Sequence, residues 1–147
     1  MLDSKVLELV EITERETVEF LKMAEILSGK KTAVAALDTR AVEHLVTLEL
    51  EQMNKIRSIE AVRAGILKSL SISGKDLNNS LSLKEKIGED WAEKYSAVHR
   101  NFKIAYSDVQ SLNTLCKVLL VHSLAFIKQN IRILTEDGRR KLVDKKA

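Results

Sequence analysis

The sequence predicts an all-α protein, an elongated antiparallel bundle of about three long helices with coiled-coil-like packing. Two features of composition favour helices over a sheet: the 147 residues contain no proline, and 4% are aromatic although 45% are hydrophobic. A third feature is the alternating four- and three-residue spacing of apolar residues, which is typical of helix faces that pack on one another. The length predicts a single domain over residues 1–147.

The first helix is predicted over residues 4–28, between an Asp3-Ser4 capping signal and the Ser28-Gly29 step. Its packing face consists of Val6, Val10, Thr13, Thr17, Phe20, Ala24 and Leu27. The two threonines are expected to weaken that face. The glutamates expected to face solvent are Glu11, Glu14, Glu16 and Glu19.

A second helix is predicted over residues 39–71. Its packing face consists of Ala41, Leu45, Leu48, Gln52, Lys55, Ile59, Val62 and Ile66. Residues 71–90 are rich in Ser, Asn and Gly, which predicts a loop. A short helix is expected within this loop, around Leu81–Ile87.

The third helix is predicted over residues 89–135, with a continuous apolar face that we call the first stripe. The first stripe consists of Trp91, Tyr95, Val98, Phe102, Ala105, Val109, Leu112, Cys116, Leu119, Ser123, Phe126, Asn130 and Ile133, and is expected to be core. A helix of that length measures roughly 70 Å, against about 40 Å for the first helix, so it is expected to overhang. Gly138 is expected to end it, leaving a basic tail over residues 138–147.

A second apolar series, here called the second stripe, begins late in the third helix. It consists of Leu120, Leu124, Ile127, Ile131 and Leu134, and lies about 100° around the helix from the first stripe. One interpretation is deeper burial, between two helices instead of one. The other is a wall for a partner's amphipathic helix, with Lys117, Lys128 and Arg132 as a basic rim. Self-association that a client displaces is compatible with both.

Residues 1–30 carry four basic and seven acidic side chains, a balance of −3, whereas residues 91–147 carry eleven and five, a balance of +6, so the basic C-terminus is expected to attract an acidic partner. The cysteine content and the N-terminus predict a cytoplasmic protein. The single cysteine, Cys116, excludes an intramolecular disulfide and suits a reducing compartment. The N-terminus does not resemble a secretory signal. The longest uncharged run, Val118–Ile127, is half of the about 20 residues that a span needs, so no membrane insertion is expected.

The sequence contains no pattern that predicts catalysis, a metal site or a cofactor. No histidine follows an acid by three residues, no cysteine pair exists, and neither a Gly-rich phosphate loop nor a Gly-x-Ser-x-Gly elbow is present. An enzyme is therefore not expected. The alternatives are a coiled-coil adaptor without a client, and weak nucleic-acid binding through the tail residues Arg139, Arg140, Lys141, Lys145 and Lys146. Nucleic acid is not expected as a partner, because that tail lacks aromatic residues for stacking.

One segment, "SLNTLCKVLLVHSLAFIKQNIRIL", resembles the C-terminal signature of the FlgN family of flagellar export chaperones. The matching features are Leu112-Asn113, Leu119-Leu120, Ser123-Leu124 and Phe126. Upstream, "LDTRAVEHLVTLELEQMNKIRSIEAVRAGILKSLSI" resembles the second helix of that family. The sequence departs from the pattern at Cys116, where many members carry a second asparagine.

The resemblance implies a chaperone that binds the C-terminal helices of hook-associated proteins, keeps them from assembling and delivers them to the type III export gate. It implies no catalysis. In the family the C-terminal region holds the client, and here that region coincides with the second stripe. The predicted client-binding residues are Leu120, Leu124, Ile127, Lys128, Ile131, Arg132 and Leu134.

Overall fold

The computed structural model describes the backbone of residues 2–146 and the side chains of residues 2–136. The described chain forms five helices, α1 (Leu2–Ala35), α2 (Thr39–Ser69), α3 (Gly74–Leu77), α4 (Ser80–Ile87) and α5 (Glu89–Lys146), and contains no strand. The all-α class is therefore confirmed. Two short helices lie between α2 and α5: α4 is the short helix expected around Leu81–Ile87, whereas α3 was not predicted and lies in the segment expected to be a loop.

Helix α1 lies between α2 and α5 and packs on both, whereas the backbones of α2 and α5 stay apart. Lys30 Nζ lies 2.9 Å from Glu49 Oε2, and Arg63 Nε lies 3.0 Å from Glu16 Oε2. The later residue of α1 thus meets the earlier residue of α2, which means that these two helices run in opposite directions.

Helices α1 and α5 run in the same direction and begin at the same end of the molecule. Trp91 Nε1 donates to Asp3 Oδ1 at 3.0 Å near both starts. Ser123 Oγ donates to the Val34 carbonyl at 3.5 Å, one residue before α1 ends. Helix α5 continues from Leu124 to Lys146, about 35 Å at the usual rise per residue. We call this part, residues 124–146, the overhang.

Helices α1 and α5 both extend further than the sequence predicts. Helix α1 passes Gly29 and ends at Ala35, because Ala33 and Val34 are buried and their packing offsets the roughly 1 kcal/mol that a glycine costs in a helix. Helix α5 passes Thr135 and Gly138 and ends at Lys146, since the strong helix formers in "RRKLVDKK" offset the same cost. The predicted basic tail is therefore helical in its backbone through residue 146, and its side chains lie outside the described residues.

The core contains the predicted faces of α1 and of the first three-quarters of the first stripe. Val6, Leu9 and Tyr95 are fully buried at one end of the bundle, and Cys116 is buried towards the other. Thr13 does not weaken the face as expected, because its hydroxyl donates to the Leu9 carbonyl at 2.7 Å and lies 3.2 Å from the Tyr95 hydroxyl. A buried threonine with partners for its hydroxyl costs little.

The buried face of α2 differs from the predicted one, because polar residues of α1 and α2 pair inside the bundle. Lys55 and Val62 are exposed, and Ile56 and Arg63 take their places in the core. On α1, Glu16 and Glu19 are buried rather than solvent-facing. Glu19 tolerates burial because the side-chain amide of Gln52 hydrogen-bonds to it. Gln52 Nε2 donates to the Glu19 carbonyl at 2.9 Å and to Glu19 Oε2 at 2.7 Å.

Glu16 is the least satisfied charged group of this interior. Its side chain is fully buried, and neither of its oxygens accepts a hydrogen bond. The neighbouring Arg63 directs its Nε and Nη2 hydrogens at the Glu60 carboxylate, 3.2 and 3.0 Å away, so it meets Glu16 only as a nearby charge. Burial, together with the proximity of Glu60, raises the pKa of Glu16 to about 8, although Arg63 acts in the opposite direction.

This raised pKa predicts a pH-dependent stability. Between the ordinary pKa of 4.5 and about 8, the folded protein holds a proton on Glu16 that the unfolded chain has released. Below pH 6.5 the burial of His99, which lowers its pKa to about 4, acts in the opposite direction, so the free energy of unfolding is expected to fall as pH rises from about 6.5 to 8 and to level off above it. Glu16→Gln removes the titration, so urea denaturation should show this variant more stable than the wild type at about pH 9 and similar at about pH 5.

Glu14→Gln is the matched control, because Glu14 is exposed on the same helix and its loss should leave the wild-type slope unchanged. A wild-type stability that rises with pH between about 6.5 and 8 would contradict the buried state of Glu16.

Leu27 lies in the core and Leu134 lies beyond its end, so alanine substitutions at these two leucines are expected to differ sharply in their effect on the free energy of unfolding. Leu27→Ala removes a side chain that is 2% exposed and is expected to lower the free energy of unfolding by about 2–5 kcal/mol. Leu134→Ala removes one that is 71% exposed on the overhang and should change it by less than about 0.5 kcal/mol. Urea denaturation of the two variants measures both values. Equal losses would show that the overhang is part of the folded core.

Candidate functional site

The second stripe is exposed along its whole length. Its residues are exposed by 41–71%, from Ile127 at the lower limit to Leu134 at the upper. The interpretation of deeper burial between two helices is therefore wrong, because among residues 2–136 no second helix covers this side of α5. Burial of apolar surface is what stabilises a folded chain, so this uncovered apolar face is the candidate site for a contact with another molecule.

The first stripe is also uncovered once α5 has passed the end of α1. Ser123 is half-buried, whereas Phe126, Asn130 and Ile133 are all exposed. The expectation that this stripe is core throughout is wrong for these three residues, and the reason is that α1 stops at Ala35. The overhang therefore carries apolar residues on two adjoining faces.

The rim of these faces is positively charged. Lys117, Lys128 and Arg132 are exposed, and α5 carries no acid between Asp108 and Glu136. Within the side chains described up to residue 136, Glu136 lies 3.9 Å from Arg132 Nε in a largely solvated pair that holds the guanidinium only weakly. The arrangement favours a partner with acidic flanks.

A cleft of about 230 Å³ lies where the second stripe begins. Helix α5 contributes one side of it, and the turn between α1 and α2 contributes the other. Its lining residues are Val34, Leu37, Thr39, Val42, Leu120, Ser123, Leu124 and Ile127. The structure thus brings three predicted client-binding residues together in the cleft and leaves Lys128, Ile131, Arg132 and Leu134 further along the overhang.

Sequence reasoning missed the residues that the α1–α2 turn adds to this cleft. Asp38 is the N-cap of α2, and its side chain accepts a hydrogen bond from the Ala41 backbone N–H at 3.1 Å. Leu37 and Val42 therefore stand before the cap and four residues after it, the positions of a hydrophobic staple. That spacing in "LDTRAV" was the signal available in the sequence.

A larger cleft, of about 690 Å³, opens between α2 and α5 over the middle of α1. Its apolar lining includes Phe20, Ile56 and Phe102, which are each at least nine-tenths buried and so offer little surface to a partner. It contains none of the predicted site residues. Among residues 2–136 no three His, Cys, Asp or Glu side chains are grouped as metal ligands would be.

One 18-residue window of α5, within Glu89–Glu136, is long and apolar enough to cross a membrane by length and composition, with a mean hydropathy of 1.3. A single such helix is weak evidence for a span, because core helices of soluble proteins pass the same test.

An all-α bundle that leaves two apolar faces of its longest helix uncovered belongs to the class of proteins that act through contacts with other proteins. The sequence profile of one such family, described as FlgN protein, matches residues 1–142, and the chain belongs to the FlgN family. FlgN proteins are soluble chaperones of flagellar export with flagellar proteins as partners, and the family is not enzymatic. Comparison with curated proteins and with solved structures gave no significant match.

The family membership confirms the resemblance drawn from the two segments of sequence. It applies to the chain as a whole and assigns no residue to a client. The basic residues of the nucleic-acid alternative, Arg139, Arg140, Lys141, Lys145 and Lys146, lie beyond the described side chains.

Proposed function

We propose that this protein is a cytoplasmic flagellar export chaperone that binds the C-terminal amphipathic helices of hook-associated proteins. It keeps these clients unassembled and delivers them to the type III export apparatus. The observation that carries the proposal is the exposure of the second stripe on the overhang, in a member of the FlgN family. A client helix laid along the stripe covers apolar surface that this chain leaves open.

The proposed contacts divide into apolar anchors and steering charges. Leu120, Leu124, Ile127, Ile131 and Leu134 supply the apolar contact, and full burial of one such side chain is worth about 1.5–3 kcal/mol. Because these residues are already partly covered in the free protein, each contributes only part of that value. Lys128 and Arg132 speed the encounter with an acidic helix more than they strengthen the complex. In the absence of client, self-association is expected to cover the same stripe.

The test is isothermal titration of the chaperone with purified hook-associated proteins of the same organism, each in full length and with its C-terminal helix removed. We expect binding by at least one full-length protein and none by its truncated form. Equal binding of both forms would place the contact elsewhere on the client. Absence of binding by every hook-associated protein would refute the proposal, and a stable oligomer that no client disperses would favour the coiled-coil adaptor.

A further inference from the structure

The turn between α1 and α2 ends in a backbone conformation that leucine rarely adopts. The backbone N–H of Asp38 donates to the Ala33 carbonyl at 3.0 Å, and that of Leu37 donates to the Val34 carbonyl at 3.1 Å. This is the Schellman pattern that closes many helices, in which the residue after the cap takes a left-handed conformation and is usually glycine. Here that residue is Leu37, with φ of 54°.

A side chain at such a position must offset strain that glycine avoids. Full burial of the Leu37 side chain does not offset this strain, because the side chain remains 46% exposed. It lines the 230 Å³ cleft opposite Leu120 and Leu124. The strained turn therefore holds an apolar side chain at the open edge of the cleft.

The cleft is suited to an aliphatic side chain from outside. None of its lining residues is charged, and of its two hydroxyl-bearing residues, Ser123 already donates to the Val34 carbonyl. Its volume is below the roughly 300–1,000 Å³ of small-molecule pockets, so it takes a side chain rather than a whole ligand. Lys128, next to the lining residue Ile127, and Arg132 one turn further on give the same helix a basic flank.

We propose that this cleft is a specificity pocket that receives one large aliphatic side chain of an amphipathic helix with acidic flanks, and that Leu37 forms its outer wall. The occupant is a helix of another protein, which continues from the pocket along the second stripe. The inference rests on the proposed function for the identity of that protein as a client, but the chemistry of the pocket is testable without it.

The fold offers a matched pair of variants for the test. The turn after α2 repeats the same pattern: the N–H of Ile72 donates to the Leu67 carbonyl at 2.9 Å, the N–H of Ser71 donates to the Lys68 carbonyl at 3.0 Å, and Ser71 has φ of 56°. Leu37→Gly and Ser71→Gly each place glycine at a left-handed position. Both variants should fold and melt within about 4 °C of the wild type, and only Leu37→Gly removes the pocket wall.

The probes are fluorescein-labelled amphipathic helices of seventeen residues, read by fluorescence polarisation. The first has leucines at four-three spacing and glutamates on the flanks, the second has its central leucine replaced by alanine, and the third has lysines in place of the glutamates. We expect the first peptide to bind the wild type, and the lysine peptide to bind at least about tenfold more weakly at low salt. Leu37→Gly should lower the affinity for the first peptide by about fivefold to tenfold, and Ser71→Gly should lower it by less than about twofold.

For the alanine peptide, Leu37→Gly should change the affinity by less than about twofold, because the side chain that fills the pocket is absent. The proposal is overturned if Leu37→Gly binds the first peptide as the wild type does, if it weakens both peptides equally, or if the wild type does not bind the first peptide. It is also overturned if Leu37→Gly reduces self-association in sedimentation but leaves peptide binding unchanged, because the pocket then belongs to a second copy.

The same variants separate this inference from the proposed function. Hook-associated proteins that bind the wild type and Leu37→Gly equally would refute the pocket and leave the export chaperone in place. Peptide selectivity that depends on Leu37, in a protein that binds no hook-associated protein, would support the pocket and refute the proposed clients.

Discussion

Leu124→Asp combined with Ile131→Asp is expected to weaken client binding by at least about 100-fold, the largest functional effect that the structure predicts. The two side chains are 50% and 58% exposed on the second stripe, and a client helix that covers them would bury two unpaired carboxylates. Because neither residue belongs to the buried core, helical content by circular dichroism and the melting temperature should stay close to those of the wild type. Isothermal titration measures the loss of affinity.

The matched control is His122→Asp combined with Gln129→Asp, which adds the same charge at exposed positions about half a turn around α5. It should retain client binding within a few-fold. If the Leu124 and Ile131 variant binds normally, the second stripe is not the site. If that variant unfolds, the overhang is stabilised by contacts within the chain.

Arg63→Met is expected to cause the largest loss of stability among single substitutions at charged residues. At about pH 9 the variant removes the positive charge that favours the ionised form of Glu16, so the buried carboxyl must stay charged alone or take up a proton about one pH unit above its pKa, and the free energy of unfolding should fall by about 1–3 kcal/mol. The loss also includes the contact of the guanidinium with the Phe102 ring, whose centre lies 4.4 Å away. Urea denaturation measures it.

A second substitution tests the cause of this loss. Adding Glu16→Gln to Arg63→Met removes the buried charge and should recover most of the stability at high pH, and less at about pH 6, where a proton already neutralises the carboxyl. Equal stability of the single and double variants at about pH 9 would show that Glu16 has no part in the effect. Client binding by both should match the wild type at temperatures where they are folded, since this cluster is distant from the overhang.

The sequence predicts the helical faces well because their spacing is a local property. The four-three spacing from Trp91 to Ser123 identifies the side of α5 that packs, and Cys116 is buried as expected. The same spacing continues to Ile133, where the residues are exposed, because burial also depends on where α1 ends. Periodicity indicates which side of a helix is apolar, and tertiary structure decides whether another element covers it.

Pairing between helices explains the positions that the sequence did not predict. Glu16 and Arg63 are charged residues that pattern alone assigns to the surface, and they become buried only because α1 and α2 bring them within 3.0 Å of each other. Gly29 shows the same principle in the backbone: its helix-breaking tendency is overcome by the packing of Ala33 and Val34 beyond it. The pocket at Leu37 likewise needs a turn and a distant helix that only the fold brings together.

The unbroken course of α5 links the position of a bound helix rigidly to the bundle. From Glu89 to Asp137 the sequence contains no glycine and no proline, so no such residue provides a hinge where the overhang leaves the bundle. The overhang therefore keeps the same helical phase as the part of α5 that packs in the bundle. Seven residues inserted after Ser123 would carry the distal part of the stripe about 10 Å further out with little rotation. Two inserted residues would turn it to roughly the opposite side. Helix α5 thus sets how far from the bundle, and on which side of the α5 axis, the second stripe would hold a bound helix.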